Sequence, residues 1–309
     1  MKVFVAGSSR ALGAQLVPRL VARGHDVVGM TRTASKQGML RAWGAQPVVA
    51  DALDPDAVAR VVGEAEPEAI VHQLTALSGA MDMRHVDRYF ATTNRLRTEA
   101  TDHLLAAGRA VGTRRVVAQS FTGWPFAREG GPVKSEDDPL DPHPPRALTS
   151  TLAAIRHVEE EVTGLQGAEG LVLRYGFFYG PGTGLSRDPE ATVTASVRKR
   201  QFPLVGSGGG VWSFVHVEDA AAATVAALDH GEPGTYQVVD DDPAPLREWL
   251  PALSRAVDAG PPRRFPRWFG RLAAGEAATL MLTEMRGASN AKAKRELGWQ
   301  PTRAGGRGS

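Results

Sequence analysis

The sequence predicts an α/β protein in which a parallel sheet carries helices on both faces. The chain begins with an apolar strand at residues 3–5, then a glycine-containing turn and, from Leu12, apolar residues at helical spacing. Four further strand-like segments follow, separated by helical patterns. Strands and helices that alternate in this way indicate a doubly wound parallel sheet. The content of 42% apolar and 23% charged residues is typical of a globular fold.

The turn after the first strand reads G-S-S-R-A-L-G over residues 7–13 and is typical of a nucleotide-binding site. Gly7 permits a tight turn, and Gly13 permits close packing of the helix against the strand. The amino end of this helix, which ends near Gly24, directs free N–H groups towards a pyrophosphate. Arg10 replaces the middle glycine of a G-x-x-G-x-x-G pattern, so an ordinary turn with a solvated arginine is the alternative.

The second strand, residues 26–30, ends where an NAD-selective site generally carries an acidic residue for the ribose 2′-hydroxyl. Thr31 and Arg32 stand there instead, and Arg10 lies in the preceding turn. Two guanidinium groups and a hydroxyl suit the 2′-phosphate of NADP. We therefore expect NADP(H) as the cofactor, with two solvated arginines as the alternative. Asp51, after the third strand, is expected either to cap the next helix or to bind adenine.

The remaining elements continue the alternation. Strands are predicted at residues 47–50, 69–75, 115–120 and 235–240, and helices from Pro55 and at 86–107, 147–159, 191–200, 220–228, 246–257 and 286–299. Residues 120–149 are rich in Gly, Pro and Asp and are predicted to form a long loop at the border of a site. Residues 302–309 are predicted to be a mobile tail. His72, in the fourth strand, is interpreted as a packed strand residue rather than a ligand.

The composition excludes several classes of function. A net charge of +2, from 36 basic and 34 acidic residues, gives no field for nucleic acid or an anionic membrane. The absence of cysteine excludes disulfides, thiolate catalysis and cysteine-bound zinc, and the eight histidines form no metal-binding motif. Without a long apolar run or a signal-peptide pattern, we expect a soluble cytoplasmic protein. The length of 309 residues predicts one large domain or two closely packed domains.

Four stretches, in order along the chain, resemble those of a known family. They are the opening turn, V-A-D-A-L-D at 49–54, L-R-Y-G-F-F-Y-G-P-G at 173–182, and G-S-G-G-G-V-W-S-F-V-H-V-E-D at 206–219. On these stretches the chain resembles the short-chain dehydrogenase/reductase superfamily of the extended or atypical type, the NAD-dependent epimerase/dehydratase family. The resemblance implies a Rossmann fold. It places an NADP-binding domain at about residues 1–170 and 213–240 and a smaller C-terminal substrate-binding domain at about 171–212 and 241–309.

The resemblance also implies which residues contact the cofactor. They lie in the opening turn, at the ends of the second, third and fourth strands, and just before the G-P-G turn. The implied set is Gly7, Ser9, Arg10, Leu12, Gly13, Thr31, Arg32, Asp51, Ala52, Leu74, Thr75, Tyr175 and Phe177.

One feature of the family is missing. Its members use a tyrosine four residues before a lysine on one helix, where the lysine lowers the tyrosine pKa for proton transfer. The corresponding helix here contains neither residue, and alignment on Glu159 places Thr151 and Ile155 at the two positions. The departure indicates another proton donor, a redox-neutral reaction, or no catalysis.

The resemblance indicates where replacement groups would lie. At least one of Ser120 and Thr122, just beyond the fifth strand, is predicted to bind the substrate oxygen, and a capped strand end is the alternative. Tyr179 is predicted to be the surviving phenol that donates a proton, with packing beneath the G-P-G turn as the alternative. His216, which the family uses mostly as a structural residue, and Lys134 on the long loop are weaker candidates.

The expected function is NADP(H)-dependent reduction or epimerisation of a small, fairly hydrophobic carbonyl or hydroxyl compound. Sugar-nucleotide members of the family usually carry a basic residue before F-V-H-V, whereas V-W-S stands at residues 211–213 here. Four aromatic residues favour an apolar or aromatic substrate, and core packing explains most of them equally well: Trp124, Phe177, Phe178 and Trp212. A non-catalytic NADP-sensing regulator and a redox-neutral dehydratase or cyclase that retains the nucleotide are the alternatives. We expect a monomer or homodimer whose partner is a small molecule.

Overall fold

A computed structural model of the protein describes residues 1–77 and 85–303. The strands are β1 (Lys2–Ala6), β2 (Asp26–Thr31), β3 (Gln46–Val49), β4 (Ala69–His72), β5 (Arg115–Phe121), β6 (Val133–Lys134), β7 (Glu169–Tyr175), β8 (Phe177–Tyr179), β9 (Leu204–Val205), β10 (Val211–Trp212), β11 (Phe214–His216), β12 (Gly234–Val238), β13 (Ala244–Pro245), β14 (Arg264–Phe265) and β15 (Gly287–Ala288). The helices are α1 (Ala11–Ala22), α2 (Gln37–Ala42), α3 (Pro55–Ala65), α4 (Val86–Arg97), α5 (Glu99–Ala110), α6 (Thr149–Thr163), α7 (Thr192–Arg198), α8 (Val217–Asp229), α9 (Leu246–Ala256), α10 (Arg267–Thr283) and α11 (Ala291–Glu296).

The central sheet contains seven parallel strands in the order β12-β7-β5-β4-β1-β2-β3. The chain adds β2 and β3 on one side of β1 and then crosses back to place β4 on the other side. This reversal leaves a crevice at the carboxyl ends of β1 and β4, where sheets of this type bind their ligands. The predicted doubly wound parallel sheet is confirmed.

Helices cover both faces of the sheet. On one face α1 packs against α8, and Leu16 and Val225 are buried between helix and sheet. On the other face α3 packs against α5 over Val62 and Leu104. A third apolar cluster joins the later segments to α6 and is centred on aromatic residues such as Trp249. The predicted domain boundaries stay a prediction.

Several elements differ from the predicted ones. The predicted helix at 86–107 is two helices, because Thr98 adopts φ −101° and ψ −82° between α4 and α5. The predicted helix at 286–299 is shorter, since the residues of β15 pair with β6 before α11 begins. This pairing also places a short strand inside the loop predicted at 120–149. α10 was missed; Gly275, at φ 86°, interrupts its helical backbone.

The prediction of a mobile tail from residue 302 is wrong at its first two positions. The carboxylate of Asp219, buried at the start of α8, accepts hydrogen bonds from the Thr302 N–H at 3.1 Å and its hydroxyl at 2.7 Å. It also accepts one from the N–H of Arg303 at 3.0 Å. Residues 304–309 lie outside the described residues.

The described histidines and carboxylates form no metal site. Within residues 1–77 and 85–303, no cluster of three or more such side chains is placed to hold a metal ion. In the same ranges no helix is long and apolar enough to cross a membrane.

His72 is a packed strand residue, as predicted: its Nε2 lies 3.1 Å from the Thr101 hydroxyl, and burial lowers its pKa to about 4.

A buried ionic network ties α6 to the sheet. Arg174 on β7 donates two hydrogen bonds, of 2.8 and 2.6 Å, to the two carboxylate oxygens of Glu159 on α6. Ser120 on β5 donates a third, of 2.6 Å, to the same carboxylate. All three side chains are buried, so each bond forms in a medium of low dielectric constant.

Glu159→Gln should lower the free energy of unfolding by about 3 kcal/mol, because it leaves Arg174 as a buried cation without its counter-charge. Urea unfolding followed by circular dichroism measures this change. The matched control is Glu160→Gln, which alters an exposed side chain on the same helix and should change stability by less than about 0.5 kcal/mol. Equal effects of the two substitutions would contradict the importance of the network.

Candidate active site

A cavity of about 570 Å³ opens at the carboxyl end of the sheet. It is lined by Gly7 after β1, Gln73 after β4, Gln119 near the end of β5 and Tyr175 at the end of β7. Residues from α4, α6 and the segment at 176–193 complete its walls. The cavity therefore occupies the crevice that the strand order creates.

The turn between β1 and α1 fits a dinucleotide. Gly7 has φ 93°, and a Cβ there would lie 2.5 Å from the Gln73 carbonyl oxygen. A Cβ on Gly13 would lie 2.1 Å from the Ser8 carbonyl oxygen, so the predicted close packing of helix on strand is present. The Ala14 N–H bonds to the Arg10 carbonyl, which leaves the preceding N–H groups of α1 without intrahelical partners.

A loop covers the start of this helix. A Cβ on Gly182, which has φ 76°, would lie 3.5 Å from the Ala11 Cβ. Leu12 and Gly182 both line the large cavity. A pyrophosphate held at the helix terminus would therefore lie between the turn and this loop.

A second cavity, of about 120 Å³, adjoins the first and suits the adenosine half of the nucleotide. Ser9, Thr31 and Arg32, which are predicted to bind the cofactor, line this cavity, and so does Lys36, which the sequence analysis did not consider. The hydroxyls of Ser9 and Thr31 are 3.4 Å apart, and Lys36 Nζ donates to the Ser9 carbonyl at 3.4 Å. Arg10 is exposed and lines both cavities.

The segments that follow β3 and β4 form the other wall of the second cavity. Ala52, Leu74 and Thr75 line it, together with Asp51. Of the two uses expected for Asp51, capping falls instead to Asp54, whose carboxylate accepts the first N–H bonds of α3 at 3.1 Å. Asp51 remains beside the cavity, where the adenine-binding role stays a prediction.

The structure places Ser120 and Thr122 in the interior rather than in the cavity wall. Ser120 bonds to Glu159, and the Thr122 hydroxyl donates to the Gln237 amide oxygen at 2.6 Å. Alternate residues of a strand point to opposite sides, so Gln119 and Phe121 line the cavity while Ser120 points towards α6. The predicted roles of Ser120 and Thr122 stay predictions, whereas Gln119 is the polar residue of this strand end that lines the cavity.

The phenol of Tyr179 faces the buried carboxyl of Asp240, and its ring packs edge-on against His216 at 5.0 Å. Burial raises the pKa of Asp240 to about 7 and raises the pKa of Tyr179 as well. Tyr179 is not among the described residues that line the cavity, whereas Tyr89 of α4 does line it. The proton-donor role of Tyr179 stays a prediction, and Tyr89 is a phenol in the cavity wall that the sequence analysis did not consider.

The family resemblance implies a tyrosine and a lysine at two positions of α6, where this chain has Thr151 and Ile155. Ile155 of α6 lines the cavity. The Thr151 hydroxyl is buried and accepts a hydrogen bond from the Asn94 amide at 3.1 Å. Lys134 is also occupied, since its Nζ donates to the Glu129 carbonyl at 2.7 Å and to Asp138 at 3.0 Å. Neither Thr151 nor Lys134 is among the described lining residues.

Aromatic rings form the wall opposite the turn. Phe121 and Phe177 meet edge to face at 5.1 Å, and Phe177 packs against Trp212 at 4.3 Å. Trp124 adds a buried ring to the lining. Tyr175 also lines the cavity, and its hydroxyl lies 2.6 Å from that of Thr224. The cavity can therefore hold a flat apolar molecule.

The fold and the site together define a nicotinamide-dinucleotide-dependent oxidoreductase with a Rossmann sheet. A model of the NAD dependent epimerase/dehydratase family matches residues 3–239. This match confirms the class and identifies the family within it. The chain belongs to this family and is an enzyme.

Individual relatives include reductases and an epimerase. The chain is 44% identical to the 3-diazoavenalumate denitrifying reductase of a Streptomyces species, over 98% of this chain and 96% of that protein. It is 30% identical to the 2-alkyl-3-oxoalkanoate reductase of Stenotrophomonas maltophilia, over 84% of this chain and 76% of that protein. Among solved structures, Thermus thermophilus UDP-glucose 4-epimerase in complex with NAD has a TM-score of 0.72 and 26% identity, over 98% of this chain and 95% of that one.

Tyr179→Phe should change turnover by less than about threefold, because this phenol faces Asp240 rather than the cavity. Loss of a working general acid instead typically lowers turnover about 100-fold to 10,000-fold. Tyr89→Phe is the matched comparison, since it removes the phenol that does line the cavity. Steady-state turnover of both variants, with thermal unfolding to verify the fold, decides between them. A 100-fold loss confined to Tyr179→Phe would support Tyr179 as the proton donor.

Proposed function

We propose that the protein is an NADP(H)-dependent reductase of a flat aromatic substrate. The observation that carries this proposal is the aromatic cavity itself, which adjoins the dinucleotide turn and has Ile155 in place of a basic side chain. Bound NADPH would supply a hydride. The residues of the chain would hold the ring against the paired side chains of Phe121 and Phe177 and keep water away from the reacting carbon.

NADP(H) is proposed over NAD(H) on the chemistry of the second cavity. Arg32 and Lys36 line it beside Thr31, and Arg10 lines it from the turn. An acidic side chain at the end of β2 would repel a 2′-phosphate, whereas these cations attract one. Asp51 lies farther along, after β3, where it is available to the adenine ring.

A diazo compound is the proposed substrate class. The relative at 44% identity is named for the reductive removal of nitrogen from such a compound. Replacement of an aryl diazonium group by hydride forms one C–H bond and releases N2, so the balance requires no proton. A cavity with Ile155, rather than a lysine, beside the reacting centre suits that chemistry.

Reduction of a carbonyl group is the second candidate. It is favoured by the Gln119 amide and the Tyr89 phenol in the cavity wall, which could bind and protonate a carbonyl oxygen. The 30% identical relative is named as a reductase of an oxoalkanoate. A nucleotide-sensing role and a redox-neutral reaction differ from both candidates, because neither consumes NADPH.

The substrate class is tested by mixing the protein and NADPH with stabilised aryl diazonium salts and, separately, with aryl ketones and 3-oxo acids. We expect NADPH oxidation with the diazonium salts, one N2 released per NADPH, and deuterium on the aromatic carbon when the cofactor carries deuterium at the transferred position. Mass spectrometry measures the label. Oxidation with only the carbonyl compounds would move the assignment to the second candidate, and no oxidation with any of them would contradict a reductase.

The cofactor preference is tested by the double variant Arg32→Ala/Lys36→Ala. NADPH affinity should fall roughly 10-fold to 100-fold, because charge-assisted hydrogen bonds to the 2′-phosphate are lost. NADH affinity should stay within about threefold. Isothermal titration gives both constants, and Arg41→Ala, which changes an exposed cation on α2, is the matched control. Equal losses for the two cofactors would contradict the NADP assignment.

A further inference from the structure

Arg97, the last residue of α4, lies in the wall of the large cavity and has a buried side chain. Only 5% of the residue is exposed. Its Nη1 has no hydrogen-bond partner among the described residues. Burial lowers its pKa only to about 10, so the guanidinium carries a charge at neutral pH.

The nearby carboxylate of Glu159 already accepts hydrogen bonds from other side chains. Glu159 attracts Arg97 electrostatically, but its oxygens accept the two hydrogen bonds of Arg174 and the one of Ser120. The other titratable neighbour, His72, is held neutral by burial. Two guanidinium groups therefore share one carboxylate in the interior, and the one without direct hydrogen bonds to it faces the cavity.

A buried cation without hydrogen bonds is unfavourable, and most such groups in proteins are paired. Because Arg97 lines the cavity, a ligand bound there can reach its guanidinium without rearrangement of α4 or α6. A planar guanidinium pairs best with a planar anion that accepts two parallel hydrogen bonds. The side chains of Phe121 and Trp124 in the cavity wall suit an aromatic ring as the remainder of such a ligand.

We propose that Arg97 binds the carboxylate of an aromatic acid substrate and so fixes the ring in the cavity. The proposal deepens the proposed function and rests on it only for the reaction that follows binding. Recognition of the anion depends on Arg97 and not on whether the reducible group is a diazo or a carbonyl function. Arg97 is thus a specificity-determining residue.

The test uses the full-length protein saturated with NADP⁺ and two probes, 4-hydroxycinnamate and 4-hydroxycinnamamide, which differ only in the carboxylate. Isothermal titration should show that the wild type binds the acid roughly 10-fold to 100-fold more tightly than the amide, as expected for charge-assisted hydrogen bonds. Arg97→Gln should remove this preference, and Arg97→Lys should retain part of it. Arg95→Gln, on the exposed face of α4, is the control and should retain the full preference.

Three outcomes would overturn the proposal. They are no binding of the acid by the wild type at millimolar concentration, equal affinity for acid and amide, and a preference that survives in Arg97→Gln. A fall in NADP⁺ affinity in Arg97→Gln that matches the fall for the acid would assign Arg97 to the nucleotide instead. Absence of NADPH oxidation in the turnover assay would contradict the proposed function but leave the binding result intact.

The stability of Arg97→Gln separates recognition from a structural role. Removal of an unsatisfied buried charge should leave the melting temperature unchanged or raise it, because the desolvation cost disappears. Differential scanning calorimetry without ligand measures it. A melting temperature several degrees lower would show that Arg97 supports the fold through Glu159 and would count against the proposal.

Discussion

The close approach of backbone segments at the β1–α1 turn is the constraint on which the rest of the site depends. A side chain at Gly7 would strike the carbonyl of Gln73 at 2.5 Å, so the ends of β1 and β4 are held together at the point where the strand order reverses. The contact also positions the Gln73 amide, which donates to the Tyr175 hydroxyl at 3.3 Å. Tyr175 in turn lies 2.6 Å from the Thr224 hydroxyl on α8. One line of contacts thus runs from the nucleotide turn, through the cavity wall, to the helix that supports α1.

Of the two helices α4 and α6, only α4 contributes a charged residue to the described wall of the cavity. A lysine on α6 would place a cation beside the reacting centre, but Ile155 makes that wall apolar. Cationic charge enters from α4 instead, through Arg97. A site built this way has little means to stabilise an alkoxide on the α6 side. This property is consistent with the proposed reaction, in which a hydride is added to a carbon that already bears a good leaving group.

The parts of the site that depend on local sequence were predictable. Gly7 is predicted from the strand-turn-helix pattern at the start of the chain. Thr31 is predicted from its position at the end of the second strand. The residues whose role depends on side-chain orientation could not be predicted. The sequence of a strand end does not reveal which of its side chains face a cavity. Ser120 and Gln119 are one residue apart, and in a strand that step reverses the direction of the side chain, so the sequence alone does not show that Gln119 is the one that lines the cavity. Arg97 carried no signal, since an arginine in a helix is normally solvated and its burial depends on packing between α4 and α6.

The bonds between Asp219 and the segment at 302–303 join residues that are made at different times. Asp219 begins α8, which packs on the nucleotide-binding helix, yet three of its hydrogen bonds come from Thr302 and Arg303. During synthesis the carboxylate must therefore stay hydrated until the ribosome has added more than eighty further residues and released that segment from its tunnel. The amino-terminal half of the sheet can form early, but the hydrogen bonds that complete the start of α8 wait for a segment that is made more than eighty residues later.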